Sequence, residues 1–146
     1  MGEKAMNTGL DQCIKKGKIR EFSRGVVLVN KELENAKLDL EVANKSFKDK
    51  NYKWAIIQTY YSMFHSARAL LYSKSYREKS HYCLIEAMKT LFVDKRIIDY
   101  KLVEALQKAK SLREDADYYG DFSQESATDL LEKAKSFYSA SKNILK

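Results

Sequence analysis

The sequence predicts an all-α protein, an up-and-down antiparallel bundle of about five helices. The 146 residues include no proline and only five glycines, so little interrupts a helical backbone. Apolar residues recur at alternating spacings of three and four in several long segments. Only short polar stretches separate these segments, which favours antiparallel sequential neighbours. One domain is expected at this length, with an N-terminal extension over residues 1–23 and the bundle over residues 24–146.

Residues 1–23 are polar and carry the basic run KKGKIR, so we expect a frayed start with one possible short helix. The first bundle helix is predicted over residues 24–48, where apolar side chains line one face. The second, YKWAIIQTYYSMFHSARALLY, covers residues 52–72 and is apolar on most of its circumference. Such a helix lies at the centre of a bundle or packs against a second copy of the protein, which is one reason to expect a homodimer. The corner FKDKNYKWAI also resembles the turn of a tetratricopeptide repeat, a minor alternative because one copy cannot form a solenoid.

The last three helices are predicted from their ends and apolar faces. Ser80 can cap the third helix. In the fourth, apolar residues recur from Ile98 to Ala116, and Gly120 suits the left-handed position that ends a helix. Ser123 can cap the fifth helix. Its inward face is expected to hold Ala127, Leu130, Ala134, Phe137, Ser141 and Ile144.

The net charge is +7, and the excess of basic residues lies within residues 1–96. This bias is compatible with phosphate-rich partners, and equally with solvated lysines on helix surfaces. No apolar run approaches the roughly 20 residues of a membrane-spanning helix. The stretch MGEKAMNTGL has no apolar export core. The sequence therefore predicts a cytoplasmic protein without a membrane partner.

Cys13 and Cys83 are isolated in the sequence, with no CxxC spacing and no histidine-rich neighbourhood. We therefore expect packed or free thiols, with neither a disulfide framework nor a metal site. The sequence also lacks a glycine-rich phosphate loop, an HExxH motif, a Ser-His-Asp constellation and a carboxylate cluster on an apolar helix face. The familiar enzyme classes and their cofactors are thus not predicted.

Polar residues embedded in apolar helical segments are the remaining candidates for chemistry. His65 and Arg68 lie three apart and share a face, where hydrogen bonds to carboxylates are a sufficient structural explanation. Arg113 and Asp117 are four apart, which allows a salt bridge along one helix. His81 is expected at a helix N-terminus, where the helix dipole favours the neutral imidazole. Each side chain thus has a structural explanation beside a functional one.

Taken together, the segment YYSMFHSARALLYSKSYREKSH, the later LREDADYYG and a final amphipathic helix closely resemble the HEPN family, the nucleotide-binding domain of higher eukaryotes and prokaryotes. The resemblance extends from about Val29 to the end. It implies a five-helix bundle that is usually dimeric and often encoded beside a minimal nucleotidyltransferase in toxin–antitoxin pairs. It also implies, for many members, a metal-independent ribonuclease whose paired Arg and His meet across the dimer.

The nuclease members of this family carry an Arg followed, after four to six residues, by a His. Arg113 matches the Arg, but Tyr118 stands where the His is expected. A tyrosine, with an ordinary pKa of about 10, is a poor proton-transfer group near neutral pH. Acidic residues within 114–117 also place negative charge around Arg113. The candidates for supplying the missing imidazole are His81 and His65, either from another helix of the same chain or from the second subunit.

The sequence leaves three functions open, none of which requires a cofactor or a metal. The first is a dimeric binding subunit with weak or no catalysis that engages a nucleotide, RNA or a partner nucleotidyltransferase. The second is a metal-independent endoribonuclease in which Arg113 stabilises charge and Tyr118 or His81 transfers protons. The third is a purely structural dimerisation module. The residues predicted to bind phosphate are Arg113, Arg68, Lys74, Arg77, Lys79 and His81.

Overall fold

The computed structural model describes residues 9–114 and 122–146. In these residues the chain forms the predicted all-α bundle, with six α-helices and one small two-stranded sheet. None of these helices is long and apolar enough to cross a membrane. A π-helical turn over Lys89–Val93 follows the α-helix that ends at Met88. In chain order the elements are α1 (Gly9–Lys15), β1 (Ile19–Glu21), α2 (Gly25–Lys48), α3 (Tyr52–Ser73), β2 (Tyr76–Glu78), α4 (His81–Met88), α5 (Tyr100–Glu114) and α6 (Gln124–Ile144).

Helix α3 lies at the centre of the bundle, as its apolar circumference predicts. It packs against α2, α4, α5, α6 and β2. Ile56, Tyr60, Met63, Leu70 and Leu71 are at most 1% exposed. Burying a large apolar side chain contributes about 1.5–3 kcal/mol. Helix α3 therefore supplies a large share of the core and is the scaffold for the other elements.

Small side chains make the contact between α2 and α3 close. Ala36 and Ala43 of α2 are fully buried, and Ser62 Oγ of α3 donates a hydrogen bond to the Ala36 carbonyl at 2.8 Å. At the start of α2, a Cβ on Gly25 would lie 3.0 Å from the carbonyl oxygen of Tyr72. Glycine allows this approach because it has no side chain. The two helices form an antiparallel hairpin.

The predicted serine caps are confirmed. The Ser80 side chain accepts a hydrogen bond from the Cys83 amide, and the Ser123 side chain accepts one from the Ser126 amide, both at 3.1 Å. Gly120, the predicted end of the fourth bundle helix, lies outside the described residues. On α6 the predicted inward residues Ala127, Leu130, Ala134, Phe137 and Ser141 are buried, and Ile144 is partly buried against the core.

The sequence does not predict the small sheet, because strands of three residues are too short to show a period. β1 and β2 are antiparallel, with Ile19 opposite Glu78 and Arg20 opposite Arg77. Main-chain hydrogen bonds extend the ladder by one pair at each end. Ile19 is 3% exposed and belongs to the main core, so the sheet attaches the N-terminal residues to the bundle.

The expectation that Cys13 and Cys83 are free or packed thiols is wrong. Both residues are buried and form a disulfide that joins α1 to α4 across a sequence separation of 70 residues. Sequence spacing could not predict this pair, since the contact arises from the packing of α1 against α4. Leu10 and Ile19 share the same core, so residues 10–19 pack on the bundle beside this bridge.

We expect the disulfide to raise the free energy of unfolding by roughly 2 to 4 kcal/mol, because it restricts the unfolded chain. Oxidised wild-type protein should therefore melt on the order of 10 °C above wild-type protein that was reduced under denaturing conditions and refolded with reductant. Calorimetry measures the two midpoints. The Cys13→Ala, Cys83→Ala double variant is the matched control, since its midpoint should not respond to reductant. Equal midpoints for oxidised and reduced wild type would contradict the prediction.

Candidate functional site

Three helices bring Arg113 and His81 to the same tyrosine. Arg113 lies in the last turn of α5, His81 begins α4, and Tyr60 lies in α3. The Arg113 guanidinium carbon is 5.3 Å from the centre of the Tyr60 ring and 5.2 Å from that of Tyr61. The Tyr60 hydroxyl is hydrogen-bonded to Nδ1 of His81. We term these four residues the central site.

His81 is positioned by the start of its helix and by an aromatic neighbour. Because Ser80 caps α4, His81 is the first residue of the helix, and its ring centre lies 4.6 Å from that of Phe64. Burial lowers the pKa of His81 and the charge of Arg113 lowers it further, while Glu78 partly opposes both. The imidazole is therefore neutral near pH 7 and offers one unprotonated nitrogen.

Tyr60 supports the central site without titrating. It is 1% exposed, and burial raises the pKa of its hydroxyl more than the charge of Arg113 lowers it. A protonated hydroxyl both donates and accepts, so its contact is compatible with either neutral tautomer of His81. Its ring also meets the Arg113 guanidinium, a cation–π contact of about 0.5–2 kcal/mol. Tyr60 thus positions Arg113 and His81 relative to each other.

Arg113 forms no ion pair with a carboxylate of residues 9–114 or 122–146. The adjacent Glu114 pairs instead with Lys110, at 2.9 Å. The predicted salt bridge to Asp117 and the predicted proton-transfer role of Tyr118 lie outside the described residues. Within the described residues, the imidazole that accompanies Arg113 comes from α4.

The two polar residues predicted on one face of α3 both bind carboxylates. His65 Nδ1 is 2.8 Å from Glu32 Oε1. Arg68 donates to Glu78 Oε2 through Nη2 at 2.6 Å and through Nε at 3.1 Å. These contacts confirm the structural explanation of both residues. Arg68, also predicted to bind phosphate, is engaged with Glu78 and so joins α3 to β2.

The predicted basic residues between α3 and α4 lie on or beside β2. Arg77 is an exposed residue of β2, with its guanidinium carbon 4.9 Å from the centre of the Phe22 ring. Lys74 precedes β2, with Nζ 5.8 Å from the centre of the Phe92 ring. Lys79 follows β2 and is exposed. Helix α4 begins two residues after Lys79, so the chain leads directly from these cations to the central site.

The clefts of the described residues differ in the ligands they suit. The larger groove, of about 620 Å³, is lined by three carboxylates and no cation, which disfavours phosphate. A cleft of about 120 Å³ includes Lys110, whose charge also acts on His81. The described residues hold no group of three or more His, Cys, Asp or Glu side chains that could bind a metal. The other residues of the small cleft are Tyr82, Ile85, Gln107 and Ser111.

Residues 29–144 match the family model described as HEPN domain. The chain belongs to the HEPN domain family. Two relatives of this HEPN protein come from Methanocaldococcus jannaschii. One, named "Putative toxin MJ0142", is 32% identical over 126 residues, covering 81% of this chain and 86% of the relative. The other, named "Putative toxin MJ0605", is 33% identical over 115 residues, covering 78% of this chain and 86% of the relative.

The HEPN fold brings together residues that the sequence offers only as separate candidates. Arg113 and His81 were both candidates by residue type, whereas Tyr60 and Tyr61 were missed. The only available signal was the tyrosine doublet itself, which is equally typical of helix packing. The contact of Arg113 with both rings is what separates this doublet from an ordinary core pair.

We expect the substitution Arg113→Gln to raise the pKa of His81, because removing a nearby positive charge favours the imidazolium. Titration of the imidazole signals by NMR measures this pKa. His65→Gln assigns the signals, since the sequence contains only two histidines. Lys108→Gln is the matched control: Lys108 is on the same helix but lines the groove between α5 and α6, so the pKa of His81 should not move. Equal His81 pKa values in Arg113→Gln and wild type would contradict the expected coupling.

Proposed function

We propose that this HEPN protein is a toxin-like module that binds the phosphate groups of RNA or of a nucleotide at Arg113, and that it does so as a homodimer. The names of its two relatives support the toxin-like character. The observation that carries the proposal is the convergence of Arg113 and His81 on Tyr60. Neither Arg113 nor His81 is fully buried, so a ligand can reach both.

A guanidinium held over two tyrosine rings suits phosphate recognition. Contact with both rings restrains the guanidinium, so less conformational entropy is lost when its N–H groups bind an anion. After burial, the charge of Arg113 is the largest cause of the lowered pKa of His81, and Lys110 adds to it. Cations therefore dominate the potential at the imidazole, which favours an anionic ligand.

The homodimer is proposed from the family resemblance and from an exposed apolar surface on the α2–α3 hairpin. Leu38, Val42 and Trp54 are 49%, 47% and 51% exposed. The side-chain amide of Gln58 lies between Val42 and Trp54, 3.3 and 3.2 Å from their carbonyl oxygens. Trp54 shares a face of α3 with Tyr61, so a second copy placed here would lie beside the central site. A minimal nucleotidyltransferase stays a predicted partner.

Metal-independent RNA cleavage is the second candidate function, favoured by the position of His81. Attack of the ribose 2′-hydroxyl on the adjacent phosphate forms a 2′,3′-cyclic phosphate and breaks the bond to the 5′-oxygen of the next nucleotide. The step needs a base for the hydroxyl proton, a cation for the charge that develops on the phosphate oxygens, and a proton for the departing 5′-oxygen, which the imidazolium or water supplies. His81 is neutral near pH 7 and can accept the proton, and Arg113 can stabilise the charge. Tyr60 does not suit the role of base, because burial raises its pKa.

Fluorescence anisotropy with labelled single-stranded RNA in the presence of EDTA tests the proposal. We expect Arg113→Gln to weaken binding roughly tenfold or more, since a hydrogen bond to a charged group contributes about 1.5–3 kcal/mol. Lys108→Gln removes the same charge from the same helix and should bind like the wild type. Absence of wild-type binding to both this RNA and a labelled nucleotide, or equal affinity in Arg113→Gln, would refute the proposal.

Gel electrophoresis of the same RNA separates the two candidate functions. Cleavage in EDTA that His81→Gln abolishes, with binding retained, selects the ribonuclease. Its rate should rise as the pH rises through the pKa of His81, because only the neutral imidazole accepts a proton. Intact RNA bound by the wild type selects the binding module.

A further inference from the structure

The outer face of the small sheet carries four cations from two directly opposed pairs. Arg20 lies opposite Arg77. The next pair, Ile19 and Glu78, is buried. Beyond it Lys18 lies opposite Lys79, and the Lys79 N–H donates to the Lys18 carbonyl at 2.7 Å. Because side chains alternate along a strand, all four are directed to the same face, and all four are exposed. We term these four residues the cationic sheet.

This arrangement lowers stability in the free protein. Like charges directly opposite each other in a sheet are destabilising. No carboxylate in the described part of the chain forms an ion pair with any of the four side chains. The acid within β2, Glu78, is buried and binds Arg68 instead. The face is therefore a positive patch that an external anion would neutralise.

Two of the four side chains are held in place. Arg20 Nε donates to the Gly17 carbonyl at 2.9 Å. The Arg77 guanidinium lies over the Phe22 ring, which packs edge-on against Tyr72 with ring centres 5.4 Å apart. Held guanidiniums lose less conformational entropy on binding than free side chains do. Charges that only protect a sheet edge from pairing would not require this support.

A row of side-chain contacts connects the cationic sheet with the central site. The Arg68 guanidinium carbon lies 4.6 Å from the centre of the Phe64 ring and 5.8 Å from that of Tyr72. Phe64 contacts the ring of His81 in the central site. Tyr72 contacts Phe22 at the sheet. The cationic sheet also adjoins the central site along the chain, since Lys79 precedes His81 by only two residues.

We propose that the cationic sheet binds the sugar–phosphate backbone of a single-stranded RNA whose next nucleotides reach the central site. Side chains two residues apart along a strand are about 6.6–6.8 Å apart, a separation comparable to that of successive phosphates in an extended strand. A narrow two-stranded ribbon suits a linear polyanion, and phosphate contacts of this kind carry no base preference. This inference deepens the proposed function and rests on it for the identity of the ligand as RNA.

The test compares long and short RNA in wild type and in the Arg20→Gln, Arg77→Gln double variant. We expect the double variant to bind an oligouridylate of about 12 nucleotides on the order of tenfold more weakly. The slope of log affinity against log salt should shrink by about 1.4, since each phosphate contact to a single strand contributes about 0.7. A dinucleotide, which occupies the central site alone, should bind both proteins equally.

Two further variants control this test. Lys18→Gln, Lys79→Gln should reproduce the loss of affinity and of salt slope through the other pair of the cationic sheet. Lys101→Gln, Lys108→Gln removes two charges from the groove between α5 and α6 and should bind like the wild type. An equal loss of RNA affinity in this control would overturn the inference, because the loss would then follow from the net charge of the protein and not from the position of the cations.

The outcomes separate this inference from the proposed function. Unchanged affinity and salt slope for the long RNA in the Arg20→Gln, Arg77→Gln variant would overturn the inference, even if Arg113→Gln weakens dinucleotide binding. Weaker binding of the long RNA by the Arg20→Gln, Arg77→Gln variant, together with unchanged dinucleotide binding by Arg113→Gln, would support the role of the cationic sheet and refute the proposed function.

An anionic membrane is the competing occupant, because Val26 and Val27 at the start of α2 are 54% and 75% exposed. Sedimentation with phosphatidylserine vesicles tests it. Vesicle binding that the Arg20→Gln, Arg77→Gln variant loses, with RNA affinity unchanged, would assign the face to a membrane and overturn the inference. Equal vesicle sedimentation of wild type and variant, with weakened RNA binding in the variant, would support it.

Discussion

The elements that carry the central site and the cationic sheet both depend on one interaction, the ion pair between Arg68 and Glu78. The Glu78 side chain is 3% exposed, and its Oε1 accepts no hydrogen bond from the described residues, so Arg68 provides the compensation for this buried charge. Burial alone would lower the pKa of Arg68, but the hydrogen bond and charge of Glu78 outweigh it and raise the pKa. A buried charge that loses its partner is strongly destabilising. Strand β2 is therefore held against α3.

The position of β2 determines where the elements next to it in the chain lie. β1 pairs with β2, and the disulfide joins the helix before β1 to the helix after β2. Two residues after β2 ends, the Ser80 cap begins α4 and places His81 over Phe64. The cations of the sheet and the imidazole of the central site thus share one structural support. This shared support is the physical reason why RNA binding at one is proposed to continue at the other.

The parts of this HEPN protein that the sequence predicts are those whose evidence is local. The two long helices of the hairpin and the serine caps each leave a signal within a few residues, whether a period of 3.6 or a side chain that bonds its own helix. The sheet and the disulfide leave none, because both depend on segments far apart in the chain. In the central site, Arg113 and His81 were candidates by residue type, but Tyr60 has the pattern of a core residue. Only the packing of α3, α4 and α5 places it between them.

Hydrogen–deuterium exchange in Glu78→Gln tests most directly whether the Arg68–Glu78 pair holds the sheet in place. The amides of Phe22 and Lys79 donate the hydrogen bonds at the two ends of the ladder. Because Gln removes the carboxylate that binds Arg68 most closely and leaves only Glu32 Oε1, 3.9 Å from Arg68 Nη1, we predict that exchange of these amides accelerates on the order of 100-fold, while amides in the middle of α3 keep their protection. The Arg68→Met, Glu78→Gln variant, which has no unpaired cation, should recover part of that protection. Unchanged exchange at the ladder in Glu78→Gln would contradict the account.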